Sequence, residues 1–144
     1  MNQNLMKETL IKSPYLAILF LTLVSCSTEP DTPEEVVKEF TEAIANCEQD
    51  KVLELSTGDF AVFYKETNEY NPCTKYNTQV KCVQCEIEGN SAICKSIEER
   101  SFYGVKYGQM EFCYDMLWTD GSWKVSNTRE CLFIEFDECK LEID

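Results

Sequence analysis

Apolar positions change their rhythm twice along this chain. A run of ten residues from Tyr15 to Val24 is apolar except for Thr22. From Val36 the spacing becomes helical: Val36, Val37, Phe40, Ala43, Ile44 and Cys47 recur on one side, with Glu34, Lys38, Glu39 and Glu42 on the other. Thr32, Pro33 and Glu35 supply the N-cap, N1 and N3 residues of a capping box, so the helix is expected to open at Pro33. A shorter helix is expected from Asp50 as cap through Val52, Leu53 and Leu55, stopped near Gly58. Phe60, Phe63 and Tyr64 predict a third turn or helix on the same core. Residues 66–78, rich in Asn, Thr and Glu and containing Pro72, read as a loop.

Beyond the loop the period falls to two. Residues 80–88 and 91–99 flank Gly89-Asn90, a short-turn hairpin signal. Met110, Phe112, Tyr114, Met116 and Trp118 then share one parity, with Glu111 and Asp115 on the other, as a half-buried strand requires. Gly104 and Gly108 bracket a turn ahead of it, and Asp120-Gly121 turns the chain into Ser122-Trp123-Lys124-Val125. The tail from Arg129 fits two periods: Leu132, Ile134 and Phe136 alternate like a strand, while Leu132, Phe136, Cys139 and Ile143 fit a helix. Helices first and an antiparallel meander afterwards predict an α+β fold, N-terminal helices packed on a curved antiparallel β-sheet.

The early apolar run is too short for a membrane helix, which needs about twenty apolar residues. Behind Lys7 and Lys12 it fits the h-region of a secretory signal. Leu23-Val24-Ser25-Cys26 resembles the lipobox of bacterial lipoproteins, in which the peptide is cleaved before the Cys and its thiol is acylated. The expected organisation is a leader over residues 1–25, a polar tether over 26–31 and one α+β domain over 32–144. The resemblance implies a cell-envelope protein held by lipid on Cys26 at the outer membrane, on its periplasmic or its outer face. The acidic tether resembles the surface-export signal of some Bacteroidota lipoproteins.

Composition narrows the chemistry. The chain has 144 residues and a net charge of −13, with 13 Lys and Arg against 26 Asp and Glu. Such a surface excludes nucleic acid as a partner, because phosphates need a cationic face. No His is present, which removes His-based general acid/base work, His-liganded zinc and Ser-His or Cys-His dyads. Of nine Cys, eight remain besides Cys26, an even number that favours disulfides in an exported chain. If Gly89-Asn90 is a two-residue turn, Cys85 faces Cys94 at a non-hydrogen-bonded pair, where Cα atoms approach to about 4.5 Å. A Cys85–Cys94 bond is therefore expected. Cys82-x-x-Cys85 sits in an alternating strand without the cationic setting of a redox pair, so its role reads as structural. The Cys spacing is not that of a zinc site, and no metal or cofactor is expected.

Thr32-Pro33-Glu34-Glu35-Val36-Val37-Lys38-Glu39-Phe40, the helix opening at Asp50, and Trp118-Thr119-Asp120-Gly121-Ser122-Trp123-Lys124-Val125 together resemble the nuclear-transport-factor-2-like (cystatin-like) superfamily. Within it, small bacterial lipoproteins of unknown function are the most similar group. The resemblance covers about residues 32–127; the eight cysteines and the tail over 128–144 depart from it. It implies a cone with an apolar cavity. Enzymes of the superfamily place an Asp or His in the cone with a Tyr that polarises a carbonyl. Here Asp115 is expected on the outward parity, and Glu86 and Glu98 read as solvated strand residues. The expected function is thus a non-catalytic binding or protein-interaction domain taking a small apolar ligand or an envelope protein. The walls of its cavity are expected from Phe63, Tyr64, Tyr114, Trp118 and Trp123. The alternative is an isomerase- or dehydratase-like cone enzyme acting on a small apolar substrate, with catalytic groups that the sequence does not assign.

Overall fold

The computed structural model describes residues 32–131. The expected leader over residues 1–25, Cys26, the expected tether and the tail after Cys131 lie outside the described residues.

Helix α1 spans Pro33–Asn46. Its capping box forms as expected: Thr32 Oγ1 accepts from the Glu35 amide and the Glu35 carboxylate accepts from the Thr32 amide, both at 3.3 Å. Cys47 ends the helix in the left-handed conformation, and its amide reaches back to the last turn. Helix α2, Gln49–Glu54, opens one residue before Asp50, which lies in its first turn. Helix α3, Gly58–Tyr70, continues through residues that read as loop. None of its side chains is fully buried, so no apolar stripe marks its second half.

Four strands follow: β1 Asn77–Glu88, β2 Ser91–Phe102, β3 Val105–Thr119 and β4 Ser122–Arg129. They form one antiparallel sheet in sequence order. Bulges fall between Val80 and Cys82, between Arg100 and Ser101, and between Asp115 and Met116. Each inserts local twist, and together they curve the sheet around α1. The inner face carries Val83 and Cys85 from β1, Ala92, Cys94, Ser96 and Glu98 from β2, Phe112, Tyr114 and Met116 from β3, and Trp123 and Val125 from β4. Val36, Val37, Phe40 and Ala43 of α1 fill the concavity, with Val52 and Leu55 beside them.

β4 is held on both sides. One edge pairs with β3; at the other, the Val125 amide donates to the Leu55 carbonyl and its carbonyl accepts from the Thr57 amide, both at 2.9 Å. The opposite border of the sheet, β1, carries Lys81 as the extra residue of its bulge.

Disulfides reinforce this frame. Cys47–Cys73 ties the end of α1 to the approach to β1, and Cys113–Cys131 ties β3 to the segment after β4. Cys85 and Cys94 face each other in the β1–β2 register and are bonded, with Cα atoms 4.0 Å apart. Cys82 is disulfide-bonded as well.

Candidate functional site

At the heart of the concavity lies a polar network that alternation alone places there. Glu98 shares the parity of Ala92, Cys94 and Ser96 on β2, and its side chain is 0% exposed. It is not the solvated strand residue expected from its type. The parity of the strand overrides the usual preference of a carboxylate for water, because three neighbours on the same side are small and buried.

A buried carboxylate is tolerable only when paired and hydrogen-bonded. On one oxygen, Glu98 Oε1 accepts from Ser96 Oγ at 2.7 Å and from the Tyr114 hydroxyl at 2.9 Å. Thr41 Oγ1, reaching down from α1, lies 3.4 Å from the same oxygen and 3.2 Å from the Tyr114 oxygen. On the other, Oε2 accepts from Arg100 Nε at 3.0 Å and from Nη2 at 2.8 Å, a bidentate charge-assisted pair. The guanidinium in turn lies over the rings of Phe112 and Tyr76, 4.0 Å and 5.1 Å from their centroids.

Burial, then the neighbouring Glu98 charge, push the Tyr114 phenol far above its ordinary value, so it acts as a hydrogen-bond donor and not as a proton source. Burial likewise raises Tyr76, against the opposing pull of Arg100. The sign for stability follows. A phenol whose folded value is raised stays protonated in the fold while the unfolded chain ionises above 10.0. Stability is therefore full below that pH and falls as pH climbs past it. Urea midpoints measured on either side of it should drop with rising pH, and Tyr114→Phe should flatten that drop while lowering the neutral-pH midpoint.

The expected cavity walls do not form one site. Tyr114 is buried in the network and sits edge-on to Phe40, with centroids 5.9 Å apart. Tyr64 joins it indirectly, stacked on Phe60, which touches Phe40. Trp123 is buried further along the sheet, and Trp118 faces it across the final hairpin, with centroids 5.5 Å apart. Trp118 is 42% exposed and Phe63 65%, so neither walls the concavity. Trp118 lies at the end of β3, one residue before the strand's last pair, and Phe63 lies on a helix whose sides all meet solvent to some degree. Asp115 takes the outward parity expected of it and pairs with Arg129 at 2.9 Å and with Asn127 at 3.2 Å.

Residues that the sequence reading missed are therefore Glu98, Arg100, Thr41, Ser96, Tyr76 and Phe112. Close to them a cleft of about 250 Å³ opens at the end of the sheet, with Arg100, Thr78, Asn77, Ser101 and Lys106 in its walls. Thr78 Oγ1 is the buried side-chain oxygen without a hydrogen-bond partner among the described residues. No described grouping of three or more His, Cys, Asp or Glu side chains suits a metal ion.

No model of a known protein family matches the chain, and no curated protein matches it in sequence. Solved structures do match in fold. A candidate calcium/calmodulin-dependent protein kinase type II association domain from Thiobacillus denitrificans is 14% identical. It covers 69% of this chain and 95% of its own, with a TM-score of 0.55. A nuclear-transport-factor-2-like protein of unknown function from Pseudomonas putida is 8% identical over 65% of this chain and 79% of its own, with a TM-score of 0.51. A protein of unknown function with a cystatin-like fold from Nostoc punctiforme, also 8% identical, covers 65% of this chain and 83% of its own, again with a TM-score of 0.51. With helices packed on a curved four-stranded antiparallel sheet and disulfides across it, the chain has the nuclear-transport-factor-2-like fold.

Proposed function

We propose that this domain binds rather than catalyses, and that lipid on Cys26 holds it at the cell envelope, on either face of the outer membrane. One observation carries the first part. The carboxylate at the centre of the cone spends both oxygens on protein donors and is neutralised by a bidentate Arg100. A general base needs an available lone pair. On Glu98 the described donors occupy both oxygens, and Asp115 is on the outer side of the sheet. The cleft beside Arg100 is where a ligand would reach the network. A chain at −13 disfavours anionic ligands and favours neutral, apolar or cationic ones.

Of the five aromatics named for the cavity, Tyr114 would sense a ligand in this cleft through its bond to Glu98, and Tyr64 would do so through Phe60 and Phe40. Trp123 would report it through packing, while Phe63 and Trp118 are left to the exterior. Titration of intrinsic fluorescence with a panel of neutral apolar ligands tests the small-molecule form. Mass spectrometry of the membrane-extracted protein tests for a bound partner.

A second reading, the cone enzyme, is favoured by the 2.9 Å contact between Glu98 and Tyr114, a carboxylate and a phenol side by side in a buried setting. Saturable turnover of any bound ligand, abolished by Glu98→Gln in a chain that still folds, would decide for it.

Anchoring has its own test. One acyl chain holds a protein only marginally, so stable attachment takes two or more. Cys26→Ala is expected to leave the chain unprocessed or released, and unlabelled by fatty acid. Labelling that persists in that variant refutes lipidation at Cys26.

A further inference from the structure

Three hairpins build the sheet, and one of them breaks a rule that the other two keep. Their turns are Gly89-Asn90 and Asp120-Gly121, with Gly89, Asp120 and Gly121 at positive φ, residue types that accept this backbone. The β2–β3 turn instead puts Tyr103 at φ 48, followed by Gly104 at φ 80. A bulky side chain is strained in the left-handed region, where Asn or Gly would sit more easily. The fold gives nothing back for it: Tyr103 is 94% exposed. Val105 and Tyr107 beside it are 59% and 62% exposed.

The tip itself carries a small positive charge. Residues 103–110 contain no Asp or Glu and one Lys, Lys106, in a protein with 26 acids to 13 bases. The base of the tip is stiffened from inside. Tyr107 meets the edge of Phe102 at 5.5 Å, Phe102 stacks on Tyr76 at 4.8 Å, and Arg100 lies over Tyr76. The ladder pairs Phe102 with Val105 and Ser101 with Lys106 and leaves Tyr107 as the extra residue of the bulge, while β4 pairs with the other edge of β3 only from Cys113 onward.

We propose that this tip is a membrane-contact element, which places Tyr103, Val105 and Tyr107 at the boundary between headgroups and acyl chains of a phospholipid bilayer. Tyr suits that boundary because its ring is apolar and its hydroxyl remains wet. Contact confined to headgroup depth keeps the open outer edge of β3 out of the hydrocarbon, where free amides and carbonyls would be costly. The missing carboxylates matter because every acid at the tip would be repelled by phosphates, whereas Lys106 is attracted. A second copy of the chain is the weaker occupant. Three partly exposed side chains fall well short of the about 800 Å² per partner of a standard protein interface. The contact requires neither an occupied cone nor any step within it.

The test uses the full chain with vesicles of phosphatidylcholine and phosphatidylethanolamine, half of the preparations carrying brominated acyl chains. Flotation scores attachment, and Trp emission scores the tip. After subtraction of the wild-type signal from Trp118 and Trp123, the Tyr107→Trp chain should gain an emission that shifts to the blue and is lost with brominated lipid. A Val62→Trp chain, changed at an exposed site on α3, should show no such loss. Val105→Trp repeats the test if the first variant misfolds. Quenching that is absent at the tip, or equal at Val62, overturns the proposal. So does a self-association in solution that disappears with Tyr103→Ser and Tyr107→Ser, which would assign the tip to a second copy. Loss of attachment on adding Cys26→Ala, with tip quenching intact in the Tyr107→Trp chain that keeps Cys26, would leave this proposal standing and bear only on the anchor.

Discussion

Arg100→Met is expected to lower the stability of the domain by about 3 kcal/mol, near the lower end of the range for removing one partner of a buried ion pair. The size follows from what stays behind. Glu98 would keep Ser96 and Tyr114 as donors on Oε1 but lose both bonds to Oε2 and the only positive charge that touches it among the described residues. The lower end is chosen because the Arg100 side chain is itself 20% exposed, so water screens part of the pair. Adding Glu98→Gln should recover most of the loss, since a neutral amide no longer needs a counter-charge. Chemical denaturation with the disulfides intact measures both. A change under about 1 kcal/mol for Arg100→Met would mean that water reaches Glu98 and the cone is wetter than its burial implies.

Phe40→Ala is expected to cost about 3–5 kcal/mol. Phe40 is fully buried and stands between Phe60 and Tyr114, with ring centroids 5.7 Å and 5.9 Å away. Rings held by a helix on one side and a bulged sheet on the other cannot collapse far into the gap, so the cavity term adds to the lost transfer energy. The void would be apolar on most sides, and apolar voids stay dry and accept small aromatic guests. Benzene should therefore raise the denaturation midpoint of this variant and leave the wild type unchanged. Stabilisation of the wild type by the same guest would show that the cone already has an open apolar space. A loss well under 2 kcal/mol would point the same way.

Much of the fold was legible because its signals are local. The capping box at Thr32, the Gly89-Asn90 and Asp120-Gly121 turns and the alternation of β3 each lie within a few residues. Register follows from the turn, which is why the sequence alone sets Cys85 opposite Cys94. Helix α3 resisted because it buries nothing completely: Lys65 to Tyr70 carry no periodic apolar signal, and its first residue is Gly58 at a positive φ.

The candidate site was half legible. Alternation through Ala92, Cys94 and Ser96 places Glu98 inward, whereas its residue type points to water. Its partners explain the outcome. Arg100 lies two residues along the same strand and on the same face, a signal that was there to be used. Thr41 is 57 residues away and Tyr114 sits on the neighbouring strand, and only the packed fold brings those hydroxyls together.

The two borders of the sheet have a consequence for how the protein behaves when crowded. Sheets grow into fibres by adding a strand at an unguarded edge. On the β4 side that route is obstructed in mid-strand, because the backbone of Val125 is already taken by Leu55 and Thr57. On the β1 side the bulge breaks the repeat that an incoming strand would need, and it presents Lys81 there, ion-paired to Glu99 at 3.3 Å. At these two borders polymerisation would have to start by unmaking a guard, whereas the outer edge of β3 before Cys113 carries no strand among the described residues. Of the two, β1 is the cheaper to breach, since Lys81→Val removes the charge without disturbing a helix, whereas freeing Val125 means pulling residues 55–57 off the sheet.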